Sequence, residues 1–316
     1  MKALFFDGEP RVLDLPKPRP AKGEALIRVL KAGICNTDLE IMKGYMAFKG
    51  VLGHEFVGVV EECESEFLRD KRVVGEINCA CHRCPTCRME LPHHCKERTV
   101  LGIQGRNGAF AEFITLPEEN LHIVPDSVAD EVAVFTEPLA AAFRIPEQME
   151  IASTDRIVVL GAGKLGQLVA QVLYTHSKSL LCIGKNRWKL ELLKNLEIPT
   201  AHVDEPRELG SADIVVDATG SYEGFARALE LVRPEGTIVL KTTVAHPTAL
   251  DMSLPVINEV RVLGSRCGPF HPALDALAMG TVEVAPMITD TIELNDAIRA
   301  LDRAAHRDSF KILLEP

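Results

Sequence analysis

The chain has 316 residues, enough for about two domains and a sizeable core. Hydrophobic residues at 47% and charged residues at 25% are ordinary globular values, which excludes a disordered, collagen-like or disulfide-stapled chain. A net charge of -10 repels a phosphate backbone and the 5% of aromatic residues offers few stacking platforms, so nucleic acid is not an expected partner.

The opening run MKALFFDGEP already holds Asp7 and Glu9, and charges break every apolar stretch short of the ~18 residues that span a bilayer. Neither a membrane anchor nor a signal peptide is expected. Up to about residue 125 the short apolar runs ALIRVLKAG, FVGVVEEC, KRVVGEI and AFAEFITL, separated by turn residues, predict a mostly-β region. Within it, a short helix starts near Asn36 with Asp38 as its cap. From about Thr136 the pattern turns to βαβ: RIVVLGAG, LGQLVAQVLYTH, LLCIG and WKLELLKNL. ADIVVDATG, GTIVLKTT and VRVLGS add strands, with GFARALELV as a helix between the first two, which predicts a doubly wound parallel sheet. Two helix-periodic runs, PALDALAMG and LNDAIRALDRAA, and a last strand, SFKILLEP, close the chain. Cys63 and Cys182, in apolar strands, read as core residues.

Five of the nine cysteines fall between Cys79 and Cys95, a clustering that points to metal and, in a protein without an export signal, to a reducing cytoplasm. Cys81, Cys84, Cys87 and Cys95 are spaced C-x2-C-x2-C-x7-C, which suits four thiolates closing a tetrahedron around one structural Zn(II). Cys79, His82, His93 and His94 share the segment and are left out of the ligand set. A second, sparser group is Cys35, His54 with Glu55, and Glu137. Each has an ordinary alternative reading as a buried thiol, a hydrogen-bonded imidazole or a carboxylate at a helix start. Together a thiolate, an imidazole and a carboxylate would leave zinc the open position that catalysis requires.

Gly161-Ala-Gly163-Lys164-Leu165-Gly166 is a G-x-G-x-x-G between an apolar strand and a helix-periodic run. The first glycine permits the turn, the second lets backbone approach a pyrophosphate, and the third allows close helix packing; the phosphates then meet a helix N-terminus. The second strand of an NAD-specific domain ends in Asp or Glu, which bonds the ribose hydroxyls. Here that place is Gly184, and Lys185, Asn186 and Arg187 follow. A guanidinium or ammonium there suits a 2'-phosphate, so NADP is expected over NAD. Thr219 and Ser265, past later strands of the sheet, complete the expected cofactor contacts; Arg266 and Cys267 follow, and a solvated loop is the other reading there.

These motifs, in this order, resemble the zinc-dependent medium-chain alcohol and polyol dehydrogenases: C-x-T-D at 35–38, G-H-E at 53–55, the cysteine lobe, E-P-L-A at 137–140 and GAGKLG at 161–166. The resemblance implies an α/β protein with a GroES-like, mostly-β catalytic domain (1–136 completed by 270–316) and a Rossmann coenzyme domain (137–269). It places Cys35, His54 and Glu137 at catalytic-zinc positions, with Glu55 able to exchange onto the metal, so two zinc ions per chain are expected. Glu137, where simple alcohol dehydrogenases carry Cys, looks like the polyol, threonine and glucose dehydrogenase branch. Many relatives have His where Glu40 stands, and Cys35 to Ile41 is similar to archaeal-type glucose dehydrogenases. Thr37 is the hydroxyl expected to accept the alcohol proton and pass it outward to Glu40 or the nicotinamide ribose; a turn or helix N-cap hydroxyl is its alternative role. The implied substrate is a small alcohol, polyol, sugar or matching carbonyl, and the implied assembly a homo-oligomer. A zinc-free enone or quinone reductase of the same superfamily, which has no need of Cys35, His54 and Glu137 together, and a non-catalytic nucleotide-binding protein with a structural zinc are the alternatives.

Overall fold

In the computed structural model, which describes residues 1–205, 211–241 and 252–316, the run Glu24–Gly33 forms a ten-residue strand at the centre of a seven-stranded sheet. One edge pairs antiparallel with Glu55–Glu62. Its other edge is shared: Phe113–Pro117 covers Glu24 to Arg28, and the chain's last strand, Lys311–Glu315, covers Ala32 and Gly33. Register shifts between Leu26 and Ile27, and between Val29 and Lys31, interrupt the Glu55–Glu62 pairing; irregularities of this kind bend and twist a sheet. Arg72–Gly75 and Leu121–Ile123 extend the sheet on one side, and Ile288–Glu293 on the other. The last strand buries Ile312, Leu313 and Leu314 completely, each contributing about 1.5–3 kcal/mol, which docks the chain's end onto its beginning.

This sheet belongs to a unit made of Met1–Glu137 and Phe270–Pro316. The same unit holds a small three-stranded sheet, Asn78–Cys79, Thr99–Leu101 and Gly105–Arg106, whose first two strands bracket the cysteine loop. Helix Asn36–Met42 starts where expected: Cys35 is its N-cap residue, and the Asp38 carboxylate accepts the Cys35 backbone N–H at 2.8 Å. Cys63 departs from the expectation of a core residue. It lies just past the end of Glu55–Glu62, half-buried, with its thiol against the Ser65 carbonyl.

The second unit, Pro138–Pro269, carries a six-stranded parallel sheet. Its spatial order is Thr200–His202, Leu180–Gly184, Ile157–Leu160, Ala212–Asp217, Val232–Leu240, Arg261–Gly264, which is the 3-2-1-4-5-6 order of a Rossmann domain. Strand 3 went unpredicted because Thr200–His202 is three residues long and has one apolar side chain. The expected helices are present as Lys164–His176, Arg187–Asn195 and Glu223–Leu231. Phe225, Ala228 and Leu229 of the last pack with Leu160, Ile183, Val215 and Ile238. Thr242 and Thr243, in the run read as GTIVLKTT, lie outside the described residues. Among the described residues no helix is long and apolar enough to cross a membrane.

Candidate metal centres and dinucleotide site

The four lobe cysteines converge. Sγ–Sγ distances are 3.5 Å for Cys84–Cys87, 3.7 Å for Cys84–Cys95 and 3.5 Å for Cys95–Cys81. A disulfide would need about 2.05 Å. Thiolates about 2.3 Å from one zinc stand roughly 3.8 Å apart at the corners of a tetrahedron, so the cluster has the dimensions of a closed metal cage. The backbone N–H of Cys87 lowers the Cys84 thiol to about 6, whereas burial and the adjoining thiols push Cys87 up to about 12. Such coupled thiols favour a cation that neutralises the shared charge. Cys79 and His82 are engaged elsewhere: Cys79 lies against the Ile77 carbonyl, and His82 pairs with Glu119 at 2.8 Å.

The second constellation forms where Glu24–Gly33 ends and Glu55–Glu62 begins. Gly33 pairs with Glu55 across the two strands, which brings Cys35, just beyond one strand, beside His54, just before the other. Ligand atoms of Cys35, His54 and Glu55 all lie within 4.8 Å of one another. His54 and Glu55 are buried, and Cys35 is half-buried. Glu137, half-buried in the first turn of helix Thr136–Gln148, stands outside that converging trio.

In the second unit each glycine of 161–166 has a distinct setting. Gly161 has φ +101°, and a Cβ there would meet the Ala218 carbonyl at 2.6 Å. A Cβ at Gly163 would meet nothing within 4 Å, which leaves its backbone open to a ligand. A Cβ at Gly166 would fall 1.8 Å from the Gly161 carbonyl oxygen, so the helix packs on the turn only through hydrogen. Lys164 and Leu165 open the helix, half-buried. These are the three roles the fingerprint demands.

With both constellations and this turn defined, comparison with known proteins shows what the chain is similar to. Residues 21–126 match the alcohol dehydrogenase GroES-like domain. A sorbitol dehydrogenase from Halalkalibacterium halodurans is 27% identical, with 100% of this chain and 98% of that protein covered. An L-threonine 3-dehydrogenase from Deinococcus deserti is 26% identical over 96% of this chain and 95% of the relative. A structure described as a zinc-binding dehydrogenase from Sinorhizobium meliloti 1021 bound to NADP is 26% identical, superposes with a TM-score of 0.90, and is covered over 99% of its length by 100% of this chain. Over its whole length the chain is similar to zinc-type medium-chain dehydrogenases/reductases, and residues 21–126 carry their GroES-like domain.

Two further buried side chains stand at the Cys35 centre, neither marked by a sequence motif for that role. Asp38 does more than cap its helix. Its other oxygen lies 3.2 Å from His54 Nδ1, with Asp38 fully buried and the His54 side chain 3% exposed. Burial disfavours a charged imidazole, yet Asp38 and then Cys35 outweigh it and raise the His54 pKa well above the ordinary value. Lys311 is the second. Its ammonium bonds Glu55 Oε2, and both side chains are 1% exposed. Burial opposes this ammonium, but Glu55 and Cys35 raise its pKa. One sequence signal was available: a lysine directly before the apolar run Ile312–Leu314 of the final strand.

Thr37 is half-buried, with Oγ1 3.8 Å from Cys35 Sγ. The Glu40 carboxylate pairs with Lys43 at 2.8 Å, on the exposed side of the helix. At the far end of the strand Leu180–Gly184, Gly184 is buried, Lys185 and Arg187 are exposed, and Asn186 is the helix N-cap residue. Thr219 donates its hydroxyl to buried Asp217 at 2.7 Å. Ser265 sits past the sixth strand, its hydroxyl 3.2 Å from Lys241 Nζ. The same ammonium donates to the carbonyls of Ala141 (2.6 Å) and Arg266 (3.0 Å), a tie that no sequence motif marks.

Proposed function

We propose that this chain transfers a hydride between a secondary alcohol, polyol or sugar, or the matching carbonyl, and NADP, with catalytic zinc at Cys35, His54 and a carboxylate and structural zinc at Cys81, Cys84, Cys87 and Cys95. The observation that carries the reading is the trio of Cys35, His54 and Glu55 donors within 4.8 Å. A thiolate, an imidazole and a carboxylate are a zinc donor set, and three protein ligands leave one position open. Buried Glu55 Oε1 lacks a hydrogen-bond partner, as a ligand atom would without its ion. Zinc held there would supply Lewis acidity toward a substrate oxygen, and a bound nicotinamide would supply the hydride chemistry.

The protein's own groups do the rest. Asp38 takes the Nδ1 side of His54, which leaves Nε2 for the metal. Thr37, beside Cys35, is the hydroxyl that receives the alcohol proton and gives up its own outward, with Glu40 the carboxylate on the outer side of the helix. The glycine turn and the helix N-terminus at Lys164 hold the pyrophosphate, Lys185, Asn186 and Arg187 surround the 2'-phosphate, and Thr219 and Ser265 line the carboxyl ends of later strands. Glu137 is the alternative carboxylate ligand. The nine free thiols fit a reducing compartment such as the cytoplasm. Exposed Val256, Ile257 and Val262, at and near the edge strand Arg261–Gly264, fit a homo-oligomer, which sedimentation would test.

A screen of alcohols, polyols, aldoses and amino alcohols, followed by the absorbance of reduced cofactor, tests the reading. Turnover of vicinal diols or sugars is expected. Preference for long primary aliphatic alcohols, or activity confined to enones or quinones, would contradict it.

A further inference from the structure

Glu55 and Lys311 are 256 residues apart in sequence, and the sheet brings them together. Glu55 pairs with Gly33 on one side of the Glu24–Gly33 strand, and Gly33 pairs with Leu313 on the other. The ladder runs on past its last paired residue, the Ile34 N–H donating to the Ile312 carbonyl at 3.0 Å, and so leads Lys311 toward Cys35. Strands lie about 4.8 Å apart, so the Glu55 and Lys311 backbones are roughly 10 Å apart and their long side chains must meet above the strand between them. Gly33 makes that possible. A Cβ at this position would fall 2.6 Å from Glu55 Oε2, 2.8 Å from Val134 Cγ1 and 3.3 Å from Lys311 Cδ. The pair is sealed from water, with both side chains 1% exposed and the Phe135 ring 5.4 Å from the ammonium.

The two carboxylate oxygens therefore have different settings. Oε2 is taken by the ammonium, while Oε1, buried and without a hydrogen-bond partner, is left for the centre formed with Cys35 and His54. We infer that Lys311 is a positioning residue that restricts Glu55 to one weakly held oxygen toward the metal, so that the position needed by substrate is not closed by a two-oxygen carboxylate. The inference rests on the zinc reading above. Without the ammonium, Glu55 would turn both oxygens to the metal. Arginine would act in the opposite direction, because its planar fork engages both oxygens of a carboxylate and would withdraw Glu55 from the metal.

The test uses full-length protein loaded with Co(II), whose visible d–d bands are strong in four-coordinate sites and weaken as coordination number rises. Cys35→Ser, which retains the four-cysteine lobe, gives the background spectrum. For Lys311→Met the expectation is weaker bands at the Cys35 site, release to a chelator slowed at least about tenfold, and a fall in kcat. Lys311→Arg should keep the strong bands and release cobalt faster than wild type, which keeps the test decisive if the Met variant does not fold. Lys311→Met/Glu55→Gln, which lacks the carboxylate, should lose the slowed release and give up cobalt at least as fast as wild type. A merely structural lysine would lower Tm in every variant and leave spectrum and release rate unchanged, and that result would overturn the inference. So would release that shifts in the same direction for Met and Arg. Wild-type protein that takes up cobalt in the lobe alone would instead overturn the zinc reading, and this inference with it.

Discussion

The proposed preference for NADP is tested most directly at the end of the second unit's Leu180–Gly184 strand. The strand Leu180–Gly184 ends without a carboxylate, and no Asp or Glu occurs anywhere from Arg156 to Leu190. His202, at the end of the adjoining strand, bonds the Lys185 carbonyl through Nε2 at 3.0 Å and lies 3.1 Å from Asp204 through Nδ1, which ties the 185–187 turn to the sheet. Lys185 and Arg187, both exposed, are then the cations available to a 2'-phosphate. A hydrogen bond to a charged group contributes roughly 1.5–3 kcal/mol, and exposure puts these two at the lower end. Each of Lys185→Ala and Arg187→Ala should therefore lower kcat/KM for NADP about tenfold, and the double variant about a hundredfold. NAD, which has no phosphate to lose, should be little affected. Initial rates with both cofactors at saturating substrate measure this, and the NADP preference should shrink as salt screens the contacts. Gly184→Asp is a poor probe, because a Cβ at 184 would lie 2.8 Å from Ala162 Cβ and 3.0 Å from Leu190 Cδ2 and disturb the glycine turn itself. Equal losses for NAD and NADP, or a wild type that uses NAD as well as NADP, would refute the assignment.

Metal analysis of protein purified without chelator should find about two zinc ions per chain; Cys35→Ser should abolish turnover and remove about one with Tm nearly unchanged, whereas Cys84→Ser should lower Tm. Lys241→Met strips the ammonium from Ala141, Ser265 and Arg266 and should cost about 1–3 kcal/mol of stability, with a raised KM for the cofactor, read by thermal unfolding and initial rates. Glu24 is partly buried, which opposes its charge, but bonds from Arg106 at 2.7 Å and from the Ala21 N–H at 3.2 Å hold its pKa below the ordinary value. Glu24→Gln should thus cost about 1–2 kcal/mol at neutral pH. A depressed folded-state pKa gives stability that is complete above the unfolded value of about 4.3 and is lost as pH falls through the folded value. The gap between wild type and variant in urea denaturation should therefore hold from pH 5 to 8 and close below about pH 4; an unchanged gap at pH 3 would contradict the ion-pair account.

Features set by short-range spacing were readable from the chain alone. Cys81, Cys84, Cys87 and Cys95 lie within 15 residues, so loop closure alone constrains them to one neighbourhood, and the glycines of 161–166 report their backbone demands through residue type. The order of strands and helices was legible for the same reason, except where Thr200–His202 was too short to show a period. Cys35, His54, Glu55 and Glu137 were readable as a candidate set, and the convergence of the first three came from the antiparallel pairing of Gly33 with Glu55. Asp38 looked like a helix cap because its backbone bond is local, and only burial against His54 gave it a second partner. Lys311 and Lys241 carried no sequence motif. One opens the final strand and the other lies just past the strand Val232–Leu240, and what each does depends on partners that only the sheet brings within reach. A buried ammonium is tolerable only where such partners offset its desolvation, and partners from distant strands are supplied by tertiary structure, which local spacing does not record.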